Sequence, residues 1–271
     1  MLAPRTIRLV VEYDGTNLCG WQRQANGPTV QGHIEAALAD LLGKPTALAG
    51  ASRTDAGVHA LGQVARFSTD GSIPARGIMR ALNARLPPGI AIADASEVSD
   101  DWHPRFSATG KHYRYLLWLR PERSAFWHSR AWHRSLPVDV ERMQAAAQYF
   151  VGIHDFAGFR AVGCAAKTTR RRMDEVTVTR DSLSPDLCAI DVRGNAFLRN
   201  MVRIMVGTLV DVGESRLEPG ALPDIIASAT RQRAGQTAPP QGLTLVSVRY
   251  DGVRGEFLGW TAATQSESLL K

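Results

Sequence analysis

The same order of hydrophobic patterns runs twice along this chain of 271 residues. A chain that repeats strand, helix, strand, strand, helix, strand has few ways to bury its apolar faces. In the first run the segments are Thr6 to Tyr13, Val30 to Leu42, Thr46 to Ala51, Gln63 to Ser68, Ala75 to Leu86 and Ile90 to Val98. In the second they are His112 to Leu119, Val138 to Val151, Glu175 to Arg180, Leu187 to Arg193, Phe197 to Val212 and Leu243 to Tyr250. Val30, Ile34, Leu38 and Leu41 recur at steps of three and four, which gives the first helix one apolar face. Pro28-Thr29 supplies its start, and Gly43 with Pro45 its end. The β-α-β-β-α-β order predicts an α+β protein of two ferredoxin-like (RRM-like) halves with mainly antiparallel sheets, divided into residues 1–105 and 106–271. The halves share architecture and no residue-level identity.

Two segments read as long loops, Trp102 to Lys111 and Phe156 to Met173, and Thr261 to Lys271 reads as a loosely held tail. With 44% apolar residues the chain can bury a substantial core. Its 32 Lys and Arg exceed its 26 Asp and Glu, so a net charge of +6 favours association with a polyanion. The cysteines, Cys19, Cys164 and Cys188, are odd in number and widely spaced. They suggest neither a disulfide framework nor a Cys-x-x-Cys metal site, and a reducing compartment fits. Met1 to Arg5 passes straight into a strand-like run without a signal-peptide pattern, and no apolar stretch suits a membrane span. The expectation is a cytoplasmic protein.

Chemistry concentrates in the stretch Ser52 to Leu61, where Arg53-Thr54-Asp55 runs directly into the small residues Ala56-Gly57. The apolar run before it ends as a strand, so Asp55 is presented at a strand-to-loop corner where Gly57 can take backbone angles other residues avoid. A neighbouring arginine favours the charged carboxylate and can hold its oxygens in one direction, as an attacking carboxylate requires. Asp-Ala-Gly is also an ordinary turn. Tyr113, Tyr115 and Leu117 share one face of their strand, which suits a core aromatic as well as an exposed ring. Arg203 lies in a helix apolar around most of its circumference, shares a face with Arg199, and needs either a partner or a route to solvent. Arg160, Lys167, Arg170 and Arg171 sit in the second loop, either to meet phosphates or as a solvated basic loop. Arg23 follows Trp21 in a polar turn. His59, beside the Asp55 loop, reads as a structural hydrogen-bonding group.

Arg53 to Ala60 with Gly62-Gln63-Val64 resembles the signature of the tRNA pseudouridine synthase A (TruA) family. Four further stretches resemble that family in the same order. They are Glu12 to Gly15 with Gly20 to Gln24; Arg105 to Thr109 with Tyr113-Arg114-Tyr115; His154-Asp155-Phe156 with Phe159-Arg160; and Asn195-Ala196-Phe197 with Met201-Val202-Arg203. The resemblance covers residues 5–250.

That resemblance implies isomerisation of uridine to pseudouridine at positions 38, 39 and 40 of the tRNA anticodon arm, with no cofactor and no metal. It implies two sheets side by side with a central basic cleft, and a homodimer. Asp55 maps to the nucleophile, which attacks C6 of the uracil, attacks C1′ of the ribose or triggers elimination through a glycal. Tyr113 maps to the residue that stacks on the target base. Arg203 maps to the ion-pair partner of the aspartate. Arg53 is expected to meet phosphate or hold the flipped nucleotide. Arg23, Arg160, Lys167, Arg170 and Arg171 are the further RNA contacts expected. The partner is tRNA, with no DNA and no membrane. A non-catalytic RRM-like RNA-binding protein would explain the charge but leave Asp55 without a task, and the aromatic RNP strand motifs are missing from the sequence. A zinc deaminase would need His-x-Glu with Cys-x-x-Cys, which the sequence also lacks.

Overall fold

β1 (Arg5–Tyr13) is buried at all but two of its positions, as befits a strand with neighbours on both edges and cover on both faces. The computed structural model describes residues 4–164 and 166–251, so the expected tail from Thr261 to Lys271 lies outside the described residues. Contacts divide the described chain into two units. The first holds the residues up to Thr109 with those from Leu245 on, and the second spans Gly110–Thr244.

In the first unit β1 is followed by α1 (Val30–Leu42), β2 (Ala49–Gly50), β3 (His59–Thr69), α2 (Ala75–Asn83) and β4 (Ile90–Val98). β1 lies between β4 and β3, antiparallel to both, and β2 pairs antiparallel with β3. Val10 faces Val64 on one side and Asp94 on the other. Ile7, Leu9 and Val11 are fully buried, as are Val30, Ile34 and Leu38 of α1 and Ile78 and Leu82 of α2. Each such side chain contributes roughly 1.5 to 3 kcal/mol on leaving water. The Thr29 hydroxyl accepts from the Gly32 N–H at 3.2 Å and starts α1, and Gly43 ends it, as expected. β2 is only two residues long where a six-residue strand was expected, and β3 starts at His59, four residues earlier than Gln63.

The second unit carries β5 (Ala108–Leu119) from Gly110 on, β6 (Trp132–Arg134), α3 (Val140–Ala147), β7 (Gly152–Asp155), β8 (Arg170–Asp181), β9 (Ser184–Gly194), α4 (Met201–Gly213) and α5 (Leu222–Ala227). β9 runs antiparallel between β5 and β8, β7 extends the sheet antiparallel to β8, and β6 adds parallel to β5. α3 packs on β8 and against α4, whose apolar residues are buried nearly throughout. The last strand, β10 (Leu243–Tyr250), joins the first unit from Leu245 on and neighbours β3 there. The protein is therefore mixed α+β with mostly antiparallel strands.

Three local expectations change in the second unit. Arg170, Arg171 and Arg172 are the opening of β8 and not loop, because Gly152 to Asp155 supply a partner strand that periodicity did not reveal. The helix expected from Val138 to Val151 is α3 followed by a 3-10 turn at Gln148–Phe150. The helix expected from Phe197 starts only at Met201, because Asn200 stands in the left-handed region at φ 62°. Arg199 therefore precedes α4 and shares no helical face with Arg203. No helix among the described residues is long and apolar enough to cross a membrane.

Candidate active site

The antiparallel pairing of β1 with β3 sets Tyr13 opposite Ala60, so the chain leaving β1 and the chain entering β3 lie at one end of the sheet. Asp55 sits on the loop entering β3, and the segment after Tyr13 grips that loop through its backbone. The Trp21 N–H donates to the Thr54 carbonyl at 3.1 Å, and the Gly57 N–H to the Leu18 carbonyl at 3.3 Å. The Tyr13 and Thr54 hydroxyls are hydrogen-bonded at 2.7 Å. Within the loop the Val58 N–H donates to the Asp55 carbonyl at 3.2 Å. Gly57 has φ 78°, the backbone state its place in the sequence predicted. Gly20, at φ +87°, approaches so closely that a Cβ there would lie 2.5 Å from the Thr54 carbonyl oxygen. This loop is built, not loose.

Its near side is fixed by Gln63, which is fully buried. The Gln63 Oε1 accepts from the Ser52 N–H at 3.2 Å, and its Nε2 donates to the Ser52 carbonyl at 2.8 Å. A side-chain amide thus continues the hydrogen-bond ladder beyond the end of β2. His59 is buried, and its Nδ1 accepts from the Gly15 N–H at 3.1 Å. Asp14 Oδ1 also lies 3.2 Å from that nitrogen. His59 Nδ1 thus lies within hydrogen-bond reach of both the Gly15 N–H and the Asp14 carboxylate. His59 is a structural group, as its position suggested. Between these anchors Arg53 is exposed and Asp55 half-buried.

Tyr113, Arg203 and the basic residues Arg160, Lys167, Arg170 and Arg171 belong to the second unit, and Arg23 to the first. Tyr113 pairs across the sheet with Val192 and is 8% exposed. Its ring meets Phe197 edge-on, with centroids 5.1 Å apart. Phe197 is carried there by Asn195, whose N–H donates to the Arg172 carbonyl and whose Oδ1 accepts from the Arg172 N–H, both at 3.0 Å. Arg203 is part-buried on α4. Its Nε donates to the Ala238 carbonyl at 2.7 Å, one Nη donates to Asn200 Oδ1 at 3.2 Å, and its own carbonyl accepts from the Ala238 N–H at 3.0 Å. Its guanidinium also lowers the pKa of the Tyr115 phenol, but burial dominates and the phenol stays far above its ordinary value.

The basic group is only partly a free surface. Arg160, Lys167 and Arg170 are exposed. Arg171 donates to its neighbours Thr168 Oγ1 at 3.2 Å and the Arg170 carbonyl at 2.6 Å, and its partial burial draws its pKa below the usual guanidinium value. Arg23 is paired with Glu35 at 3.1 Å.

A buried cluster missed by sequence reasoning flanks Tyr113. His112 Nε2 lies 2.5 Å from Asp191 Oδ1, and Arg114 grips both Asp191 oxygens through Nε at 3.0 and 3.2 Å and through Nη2 at 3.0 Å. Burial alone would raise the Asp191 pKa, but the hydrogen bonds from His112 and Arg114 outweigh it and hold the carboxyl below its ordinary value. Pairing of β5 with β9 puts Arg114 opposite Asp191, a register that local pattern cannot supply.

The family profile described as tRNA pseudouridine synthase matches residues 9–107 and 146–251. The chain is 52% identical to tRNA pseudouridine synthase A of Geotalea uraniireducens (strain Rf4) over 246 residues, 91% of this chain and 100% of the relative. It is 49% identical to tRNA pseudouridine synthase A of Geobacter sulfurreducens (strain ATCC 51573 / DSM 12127 / PCA), with the same two coverages of 91% and 100%. The protein of that name from Acetivibrio thermocellus is 48% identical, again over 91% of this chain and 100% of its own length. A gripped carboxylate loop in one unit and a strand-borne tyrosine and helix-borne arginine in the other thus stand within a match that runs almost end to end, and the chain belongs to the tRNA pseudouridine synthase A family of isomerases, which convert uridine in tRNA to pseudouridine.

Proposed function

We propose that the protein isomerises uridines 38, 39 and 40 of the tRNA anticodon arm, with Asp55 as the nucleophile. The bond from N1 of the uracil to C1′ of the ribose breaks, the base turns, and a bond from C5 to C1′ forms. C5 gives up its hydrogen to solvent, and N1 gains one. The sum of atoms is unchanged, so the reaction calls for no oxidant and no phosphate donor, and we read the enzyme as independent of cofactor and metal. Attack at C6, attack at C1′ and elimination through a glycal all satisfy this balance, and all need a charged carboxylate beside an unstacked uracil.

The observation that carries the reading is the grip on the Asp55 loop, with Thr54 held from two sides by Tyr13 and Trp21 and Ser52 held by Gln63. A carboxylate on so constrained a backbone has little freedom left to lose on reaching its target, which is what a positioned nucleophile requires. In this reading Tyr113 stacks on the target base, Arg203 supplies the charge partner of Asp55, and Arg53 holds the flipped nucleotide or its phosphate. Arg23, Arg160, Lys167, Arg170 and Arg171 contact the RNA backbone, and Arg23 would exchange Glu35 for phosphate. The net charge of +6 is consistent with such a partner.

We read the fold as two ferredoxin-like halves with their sheets side by side around a basic cleft. The order β4, β1, β3 with β2 beside β3 in the first unit is what one such half requires. A homodimer acting in the cytoplasm completes the proposal. Tritium release from C5-labelled uridine in an unmodified tRNA carrying U38, U39 or U40, without added metal or nucleotide, tests it. Release by the wild type and none by Asp55→Asn is the expected result. Binding of that tRNA by both proteins with no release from either would leave an RNA-binding protein and sink the catalytic reading.

A further inference from the structure

The loop from Ser99 to Ser107, within the first unit, is tied down along its length. The Trp102 N–H donates to the Ser99 carbonyl at 3.1 Å, and the Ser107 N–H to the His103 carbonyl at 2.9 Å. The His103 N–H donates to Ser107 Oγ at 3.0 Å, and the Arg105 N–H to His103 Nδ1 at 3.1 Å. From outside the loop, Tyr250 donates its hydroxyl to the Pro104 carbonyl at 2.7 Å, and Arg66 reaches the carbonyls of Asp100 and Trp102. Trp102 itself packs against Tyr250 with centroids 5.1 Å apart. Such a loop is costly in chain entropy and has its own packed aromatic, Trp102, to hold it.

The one large apolar side chain on this loop that does not pack inward is Phe106, 77% exposed. Its ring is nonetheless not adrift. His103 lies against it with centroids 4.5 Å apart and planes 35° apart, and the Arg105 guanidinium carbon is 5.7 Å from its centroid. His103 uses Nδ1 as an acceptor, and its burial, with the charges of Arg66 and Arg105, holds the ring below the usual imidazole pKa. The group therefore consists of a neutral imidazole, a benzyl ring open to water and one cation on a fixed backbone. An exposed aromatic ring with an arginine beside it is the arrangement that receives nucleobases without regard to their identity, since every base has a face to stack and a phosphate nearby. An acidic or purely apolar partner would leave one of the two side chains unused.

We propose that Phe106, supported by His103 and flanked by Arg105, is a stacking platform for a second unstacked base of the RNA substrate. This is distinct from the role given to Tyr113, and it rests on the reading of the protein as a tRNA-modifying enzyme. The platform recognises a single-stranded base with its phosphate, and it has nothing to offer a fully paired helix.

The test compares wild type, Phe106→Leu and Phe106→Trp for equilibrium binding of an unmodified tRNA transcript and of a fully paired RNA duplex of equal length, with tritium release measured in parallel. Phe106→Leu is expected to bind the tRNA about 10-fold more weakly, with a matching rise in KM, because one aromatic stack is lost. Its affinity for the duplex, and its dependence on salt with the tRNA, are expected to match wild type, since no phosphate contact is removed. Phe106→Trp, which keeps a ring, restores tRNA binding. Equal binding of tRNA by wild type and Phe106→Leu overturns the proposal, and so does an equal loss on tRNA and duplex. A change in oligomeric state on sedimentation, without loss of tRNA affinity, overturns it in favour of a protein contact. Because binding is read directly, a wild-type protein that released no tritium would sink the catalytic reading while leaving the platform to stand or fall on its own.

Discussion

The hydroxyls of Tyr13 and Thr54 meet at 2.7 Å, both on residues closed off from solvent, and this single bond ties the end of β1 to the residue before Asp55. Tyr13→Phe keeps the packing of the ring against Trp21, whose centroid is 6.2 Å away, and removes the hydroxyl that makes the bond. A lost buried hydrogen bond costs about 1 kcal/mol, or roughly 2 to 4 °C in Tm for a chain of this size. If Asp55 is the nucleophile proposed above, turnover should fall by more than that small loss of stability suggests, by about tenfold, because its loop loses part of its support. A kcat equal to wild type, measured beside the expected fall in Tm, would mean that Trp21 and Gln63 position the loop unaided.

On the proposed pairing of Arg203 with Asp55, Arg203→Ala is expected to lower kcat by about a hundredfold or more, the usual cost of removing a charge from a reacting centre. A double-mutant cycle with Asp55→Asn checks the assigned partnership, since the arginine has little to add once the carboxylate is gone. Full additivity of the two losses would separate them. Tyr113→Phe preserves the ring and Tyr113→Leu does not, so a loss confined to Leu identifies stacking, and an equal loss in both assigns a task to the phenol.

Asp191 predicts an acid-sensitive contribution to stability. Burial opposes its charge, yet the hydrogen bonds from His112 and Arg114 hold its folded pKa below the ordinary value. The contribution is therefore fully present above the unfolded carboxyl value of about 3.9 and is lost as pH falls through the lower folded value. Asp191→Asn should cost about 3 kcal/mol at neutral pH, because two donors lose their charged acceptor. The Tm difference between variant and wild type should narrow as pH falls below the unfolded value of about 3.9 and through the lower folded value. A difference that stayed constant into acid would show that the cluster acts through shape alone.

The cysteines should separate by reactivity. Burial pushes the Cys188 thiol up to about 12, so it should resist a thiol-exchange reagent at pH 8 until the protein unfolds. Burial also opposes ionisation of Cys164, but the backbone N–H groups of Arg199 and Ala166 and the charges of Arg160 and Arg171 pull it below its ordinary value. Cys164 should therefore be the first to react. Labelling followed by peptide mapping reads the order, and early modification of Cys188 would contradict the burial.

Replacing Lys167 or Arg170 with Ala should reduce the slope of log affinity for tRNA against log salt by roughly 0.7 to 0.9 each, the value of one lost phosphate contact. Both residues are exposed, so stability should hardly move. An unchanged slope would return them to the class of solvated surface charges.

Much of this molecule can be read locally. The steps of three and four in Val30, Ile34, Leu38 and Leu41, closed by Thr29 and Gly43, predict α1 to the residue, since a helix is held by contacts within its own turns. The Asp55 corner was legible in the same way, because a glycine at positive φ beside small residues is a property of the loop itself. Strands were less legible. β2 shrank to two residues, and β6 and β7 were not foreseen, because a short strand exists only where a partner offers its free edge. Arg170 and Arg171 moved from loop to strand for that reason, and α4 lost its first turn to the left-handed Asn200.

Sequence alone singled out the residues proposed to carry the chemistry, Asp55, Arg53, Tyr113 and Arg203, through five ordered motifs, and it determined much of the alternation of strand and helix. Only the tertiary structure decided what holds them. That Tyr13, Trp21 and Gln63 grip the Asp55 loop, that Phe197 braces Tyr113, and that His112 and Arg114 close on Asp191 are consequences of register between strands distant in the chain. Such pairings satisfy backbone and buried polar groups that have no local partner, and the sequence records them only as isolated residues with nothing beside them to do.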